Sequence, residues 1–170
     1  MLDVLIRNGR LIDGSGNPAY YADVAIQGDC IVEVGRLADA EARRTIDASG
    51  KIVCPGFIDS HSHSDRTIHV NPTMQSTIRQ GTTTEIIGNC GFSSAPLTDR
   101  SREAGTQMLR GTGYDGPVDW LSFGEYLDAV AEMGTSANLV HLVGHNTLRT
   151  AAGVVGAEVT AEQMGVMKRL

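Results

Sequence analysis

No stretch of this 170-residue chain approaches the roughly 18 consecutive apolar residues of a membrane span, so none is expected to cross a bilayer. The opening MLDVLIRNGR lacks the long apolar core and small-residue cleavage site of a signal peptide. Positive charge is scarce as well: 14 Lys and Arg against 20 Asp and Glu leave a net charge of −6. The nearest thing to a basic cluster is Arg43-Arg44, and phosphate backbones need clustered positive charge, so nucleic acid is not expected as a partner. Cysteine is rare. Cys30, Cys54 and Cys90 make an odd, widely spaced set, which is no disulfide framework and fits a reducing, cytoplasmic setting. The Gly81-Thr82-Thr83-Thr84 run lacks the lysine and spacing of a phosphate-binding P-loop.

What is present reads as an ordinary globular composition, with 41% hydrophobic and 20% charged residues. Residues 4–7 and 10–12 are apolar runs flanking Asn8-Gly9, a two-residue hairpin signal. A loop at 13–18 precedes a second predicted hairpin, strands 23–26 and 30–34 turning at Gly28-Asp29, and then a short strand at 45–47. Cys30 and Cys54 fall in these strand interiors and read as core. The first fifty residues are thus nearly all β.

The character changes at Lys51. Ile52, Val53, Phe57 and Ile58 form an apolar run of the kind buried on both faces of a parallel sheet. Asn71-Pro72 predicts a helix start, Met74 and Ile78 share one face, and Gly81 supplies the stop. Thr82 to Ile87 is a β-branched strand, completing a β-α-β unit. A long Gly- and Ser-rich loop is predicted from Gly91 to Asp119, of a length that usually serves function. Ser122 and Glu125 make a capping box for a helix carrying Phe123, Tyr126, Leu127, Val130 and Ala131 at helical spacing. A third strand spans 138–143, and Thr160 with Gln163 caps a last helix in which the chain stops. A (β/α)8 barrel needs about 250 residues, and the roughly 120 after the front segment cannot close one, so a truncated barrel is the expectation.

The residues that carry chemistry sit at the ends of these strands. In PGFIDSHSH, side chains alternate faces, so His61 and His63 point one way and can chelate one ion. Asp59 shares that face and can orient a ligand. Gly88-Asn89-Cys90-Gly91 follows the second strand in the same way, and a thiolate is a strong zinc ligand. A small buried cysteine packed as a hydrophobe is the competing reading, and the flanking glycines tip the balance toward the ligand. His145, after the third strand, reads equally as ligand, substrate contact or hydrogen-bonded loop residue. Arg149 in the same loop has the chemistry to meet a substrate carboxylate. His141 reads as packed within its strand and His69 as a solvated loop residue.

PGFIDSHSHSD resembles the first-strand signature of the amidohydrolase superfamily. QGTTTEIIGNCG, then Ser93, Ala95 and Pro96, then LVGHNTLR, resemble the N-acyl-D-amino-acid deacylase (D-aminoacylase) family more narrowly, essentially from end to end. That resemblance implies an α/β chain with two parts. Residues 1–54 would belong to a small β-sandwich, and residues 55–170 to the first three β/α units of a TIM-like metal-dependent hydrolase barrel. It implies one or two zinc ions held by His61, His63 and Cys90, with further ligands and the general-base aspartate beyond Leu170. It also implies hydrolysis of the linear amide of a small-molecule N-acyl-D-amino acid, with the 170 residues inactive alone. Hydantoinase- and dihydropyrimidinase-like cyclic amidases share the first motif but typically use a carboxylated lysine; Cys90 points to the D-aminoacylase branch. A non-catalytic metal-binding or oligomerising fragment is the reading of another class.

Overall fold

The computed structural model describes all residues, Met1–Leu170, as two compact units, Met1–Pro55 and Gly56–Leu170. No helix is long and apolar enough to cross a membrane.

The first unit is one sheet. Strands β1 (Leu2–Leu11), β2 (Tyr20–Gln27), β3 (Cys30–Gly35) and β4 (Ala42–Asp47) lie in the order β3-β2-β1-β4, and β5 (Ile52–Val53) also pairs with β1. The β1/β2 and β2/β3 pairs are antiparallel; β4 and β5 run parallel to β1 at its two ends. Leu11, Ala22 and Val24 form its core, with Ile6, Ile26 and Val53 packed against them.

The hairpin expected at Asn8-Gly9 does not form. Both flanking runs belong to the single strand β1, and the dipeptide makes a bulge where the register with β2 shifts between Ile6 and Gly9. Asn8 alone takes a left-handed conformation, φ 62°, instead of the two successive left-handed residues that a tight hairpin demands. Its amide donates to Asp23 Oδ1 at 2.9 Å and its Nδ2 to Asp47 Oδ1 at 3.1 Å. Gly9 is needed because a Cβ there would lie 2.5 Å from Val53 Cγ2. The turn chemistry was real, but it serves a bend inside a strand. Cys30 and Cys54 are also exposed, not core. Cys30 opens the edge strand β3, whose residues are almost all uncovered, and Cys54 follows the two-residue β5.

Asp23 is the pin of the bulge. Its carboxylate accepts from Asn8 N and, at 3.0 Å, from Leu37 N; the first of these bonds is the main reason its pKa lies below the ordinary 3.8, against a smaller opposing effect of burial. A depressed folded pKa contributes stability above the unfolded value, lost as pH falls through the folded one. Asp23→Ala is therefore expected to cost on the order of 1 kcal/mol at pH 7, where water screens both bonds, and less at pH 2, in urea titrations of the chain. An equal loss at both pH values would show that the carboxylate charge is not what matters.

In the second unit, β6 (Phe57–Asp59), β7 (Thr82–Ile87) and β8 (Asn138–His141) form a parallel sheet in chain order. The apolar run from Ile52 to Ile58 is thus split at Pro55-Gly56 between two sheets. Phe57 and Ile58 are 58% and 66% exposed, so β6, at the edge of the sheet, is not buried on both faces. Helices α1 (Gln75–Ile78), α2 (Arg102–Arg110), α3 (Phe123–Met133), α4 (His145–Ala151) and α5 (Ala161–Arg169) complete the unit, α1 falling between β6 and β7, α2 and α3 between β7 and β8, and α4 and α5 after β8 in the chain.

Helix α1 starts later than Asn71-Pro72 suggests. Met74 is its N-cap, in a left-handed conformation and with no side-chain bond, while Asn71 accepts from Thr73 Oγ1 within the preceding turn. The predicted loop 91–119 contains α2, whose Leu109 is buried; an internal glycine, Gly105, dilutes its helical signal. A Cβ on Gly105 would meet Leu97 at 2.7 Å, so close packing takes precedence over propensity there. The ladder of β8 ends at His141, although Leu142 N still donates to Ile87 O at 2.9 Å. The capping boxes of α3 and α5 both form.

The core joins Ile68, Met74, Leu97, Leu109, Trp120, Tyr126 and Val130. His69 is part of this core, not solvated. Its ring stacks on Trp120 at 5.1 Å and 14°, lies against Tyr114 and Tyr126, and its Nε2 is buried without a partner. Position in a polar-looking stretch concealed an aromatic stack built across distant segments. His141 packs edge-on against Tyr126 and Phe123.

Burial lowers the pKa of both histidines from 6.5. The unfolded chain then takes up the protons first, so stability present above pH 6.5 is lost as pH falls toward the folded values. The urea midpoint is expected to drop between about pH 7.5 and pH 5. His69→Phe, which keeps the stack, should flatten part of that drop; an unchanged slope would remove His69 from the account.

Candidate metal centre

Parallel pairing of β6 with β7 sets Asp59 opposite Glu85, so the residues following each strand emerge side by side. His61 and His63 follow β6, with ring centroids 5.5 Å apart in an edge-to-face arrangement. Cys90 follows β7. The metal-binding atoms of His61, His63 and Cys90 all lie within 4.8 Å of one another, and His61 Nε2 is 3.2 Å from Cys90 Sγ. The three side chains are exposed, open to an ion and to a substrate.

The local backbone explains the convergence. Gly88, Cys90 and Gly91 all have positive φ, at 80°, 56° and 81°. A cysteine in that region is uncommon and carries a conformational cost, which turns the loop sharply enough to bring the thiol back toward His61. On the other strand, Asp59 Oδ1 accepts from His61 N at 3.0 Å, fixing the backbone before the first imidazole.

The donor set fits zinc. Two imidazole nitrogens and a sulfur are among its ordinary ligands, and bond lengths of about 2.0–2.3 Å in a tetrahedron place ligand atoms roughly 3.5 Å apart. The 3.2 Å between His61 and Cys90 is close to that edge. Three donors of these types are a usual part of a zinc shell.

Four residues around the cluster escaped the sequence reading. Ser62 donates from Oγ to Glu85 Oε2 at 2.7 Å, and Glu85 is 1% exposed. Asn89 Nδ2 donates to the carbonyls of Ser62 and Ile86, at 3.2 and 2.7 Å. Asp65 is buried, accepts from Gly88 N at 3.4 Å, and accepts through its carbonyl from Ser94 Oγ at 2.8 Å. Burial raises its pKa, against smaller opposing effects led by the Gly88 bond. The available signals were a lone acid inside the β-branched TTTEII and an acid two residues beyond His63.

His145 and Arg149 are placed differently. His145 is exposed at the first position of α4 and outside the converging trio. Arg149 lies on α4, not in a loop, and its guanidinium donates to the Gly156 carbonyl. The segment between them braces the cysteine loop: Asn146 N and Thr147 N donate to Gly91 O at 2.7 and 3.2 Å, and Gly144 N donates to Ser93 Oγ at 2.9 Å.

Known proteins share this arrangement of sequence and backbone. A D-aminoacylase from Alcaligenes xylosoxydans xylosoxydans is 42% identical over 149 residues, 88% of this chain and 30% of that protein. A solved D-aminoacylase with a binuclear metal centre superposes with a TM-score of 0.88 at 38% identity, covering 100% of this chain and 35% of that one. N-acyl-D-glutamate deacylase from Bordetella bronchiseptica, solved with zinc and a phosphonate inhibitor, gives 0.84 at 35% identity, covering 99% and 35%. The chain thus spans about a third of the length of these relatives, and its α/β fold matches their N-terminal portion. The amidohydrolase family model matches residues 44–168, most of the sequence, and the chain belongs to that family.

Proposed function

We propose that this chain supplies His61, His63 and Cys90 to the zinc centre of a hydrolase that cleaves N-acyl-D-amino acids into a carboxylate and a D-amino acid. The observation that carries the reading is the convergence of these three donors within 4.8 Å at the ends of adjacent parallel strands. Active sites of β/α barrels lie at that end, and residues 55–170 are assigned to such a barrel, residues 1–54 to its flanking β-sandwich. Three free, exposed cysteines fit a reducing cytoplasm.

When bound, zinc supplies a Lewis acid that lowers the pKa of water toward about 7 and polarises an amide carbonyl. His61 and His63, which follow β6, and Cys90, which follows β7, would hold the ion. Asp59 keeps the His61 backbone in place. The stretch from Gly91 to Asp119 walls the acyl group. A cavity of about 170 Å³ lies there, lined by Phe92, Leu97, Ala104 and Met108 from that stretch and by Thr147 and Thr150 from α4. Asp59, His145 and Arg149 remain candidates for substrate contact. No residue of this chain is assigned as the proton acceptor.

The test is hydrolysis by the zinc-loaded protein carrying this chain. Linear N-acetyl-D-amino acids are expected to be cleaved, and their L-enantiomers and cyclic ureides not. Turnover of the cyclic ureides alone would move the assignment to a dihydropyrimidinase-type amidase. Hydrolysis of neither class would leave a metal-binding, non-catalytic protein.

A further inference from the structure

Ser62 stands between the two histidines, and each of its polar atoms is engaged. Its amide donates to Ile86 O at 3.0 Å, its carbonyl accepts from Asn89 Nδ2 at 3.2 Å, and its hydroxyl donates to Glu85 Oε2 at 2.7 Å. All three partners belong to β7 or to the residue just before Cys90. The same hydroxyl accepts from Ser64 N at 3.3 Å, so the bond also steadies the backbone on the far side of His63.

Glu85 is the unexplained member of this set. It is 1% exposed, in a strand otherwise made of Thr and Ile, and it is not among the converging donors. Burying a carboxyl group there carries a desolvation cost that an apolar side chain would avoid. What Glu85 does, and an apolar residue cannot, is accept from the hydroxyl of the residue linking His61 to His63. Without that acceptor, the Ser62 hydroxyl keeps only its bonds to Ser64, Oγ to Oγ at 3.0 Å and from Ser64 N at 3.3 Å, and the turn loses its one side-chain tie to β7. A misplacement of about 1 Å matters when ligand atoms must sit within a few tenths of an ångström of their positions.

We propose that Glu85 is a positioning residue of the metal centre, acting through Ser62 to hold the His61–His63 turn at the separation from Cys90 that an ion requires. The proposal rests on the metal-binding reading above.

The test uses the full-length protein carrying this chain, titrated with Co²⁺, reading affinity together with the thiolate-to-cobalt charge-transfer absorption, which reports Cys90. Metal-free thermal unfolding is measured in parallel. Glu85→Ala and Ser62→Ala are each expected to weaken Co²⁺ binding roughly 10–100-fold, as loss of groups that orient ligands usually does. The double variant should be no worse than either single one, because both remove the same bond. Glu85→Gln keeps an acceptor for the hydroxyl and should restore most of the affinity. If the variants lower the unfolding temperature but leave Co²⁺ affinity and the band unchanged, Glu85 is a packing residue and the proposal fails. If Glu85→Ala does not fold, Ser62→Ala and Glu85→Gln decide the question alone. A band absent from the unaltered chain, or surviving Cys90→Ala, would instead overturn the metal-centre reading itself.

Discussion

Cys90→Ala is expected to reduce zinc affinity by more than the roughly 10–100-fold that outer, ligand-orienting residues typically contribute. The thiol is one of three converging donors and the only one supplied by β7, so its loss leaves two imidazoles from a single turn. The position the thiol vacates must be taken by water, a weaker ligand for zinc than a thiolate. The loop itself has little reason to collapse. Asn89 remains tied to Ser62 and Ile86, and Gly91 O still accepts from Asn146 and Thr147. An alanine also takes left-handed backbone at a cost similar to cysteine's, so stability without metal should barely change. Cys30 and Cys54 provide the control, since both are exposed and free but lie in the first unit. Zinc content measured after dialysis should fall only for Cys90→Ala. Unchanged zinc in that variant would remove the thiol from the site, and with it the feature that separates this centre from lysine-bridged amidases.

Which parts of this were legible beforehand follows from how local their causes are. Both capping boxes are read over a few adjacent residues and form as expected, and the HxH pair and the GNCG loop, equally local motifs, bring their donor atoms within 4.8 Å. Strand β7 was legible for the same reason, as an unbroken β-branched run closed by Gly88. Readings that depended on what lay across the fold fared differently. Asn8-Gly9 carries true turn chemistry, yet Asp23 and Asp47, 15 and 39 residues away, use it to pin a bulge. His69 looks solvated in the sequence because its partner Trp120 comes from a distant segment. Glu85 gave no signal as a supporting residue, since its role exists only once β6 lies beside β7 and brings Ser62 within 2.7 Å. Periodicity reveals which face a residue occupies, but not which polar atom waits there.

Gly88→Ala is expected to be among the most damaging single substitutions in the second unit, destabilising it by about 2–5 kcal/mol. Two costs combine. The residue has φ 80°, where an L side chain costs roughly 1–2 kcal/mol. A Cβ there would also lie 2.1 Å from Leu142 O and 3.0 Å from Leu142 C, and forced overpacking typically costs about 1–3 kcal/mol. The obstacle is backbone, so no flexible side chain can swing away. That backbone is itself held by Leu142 N donating to Ile87 O at 2.9 Å, the last bond between β7 and the continuation of β8. Relief therefore requires either that bond or the Gly88 bond to Asp65 to break, and both lie within three residues of Cys90. Zinc affinity should fall together with stability, as the thiol moves with the loop. Gly156→Ala isolates the first cost: its φ is 77°, with nothing within 4 Å of an added Cβ. Urea unfolding of the two variants should differ by the clash alone, about 1–3 kcal/mol. Equal losses would mean that the strands relax apart without penalty at this point. In that case the close approach of β7 to β8 would not be what seats the cysteine loop.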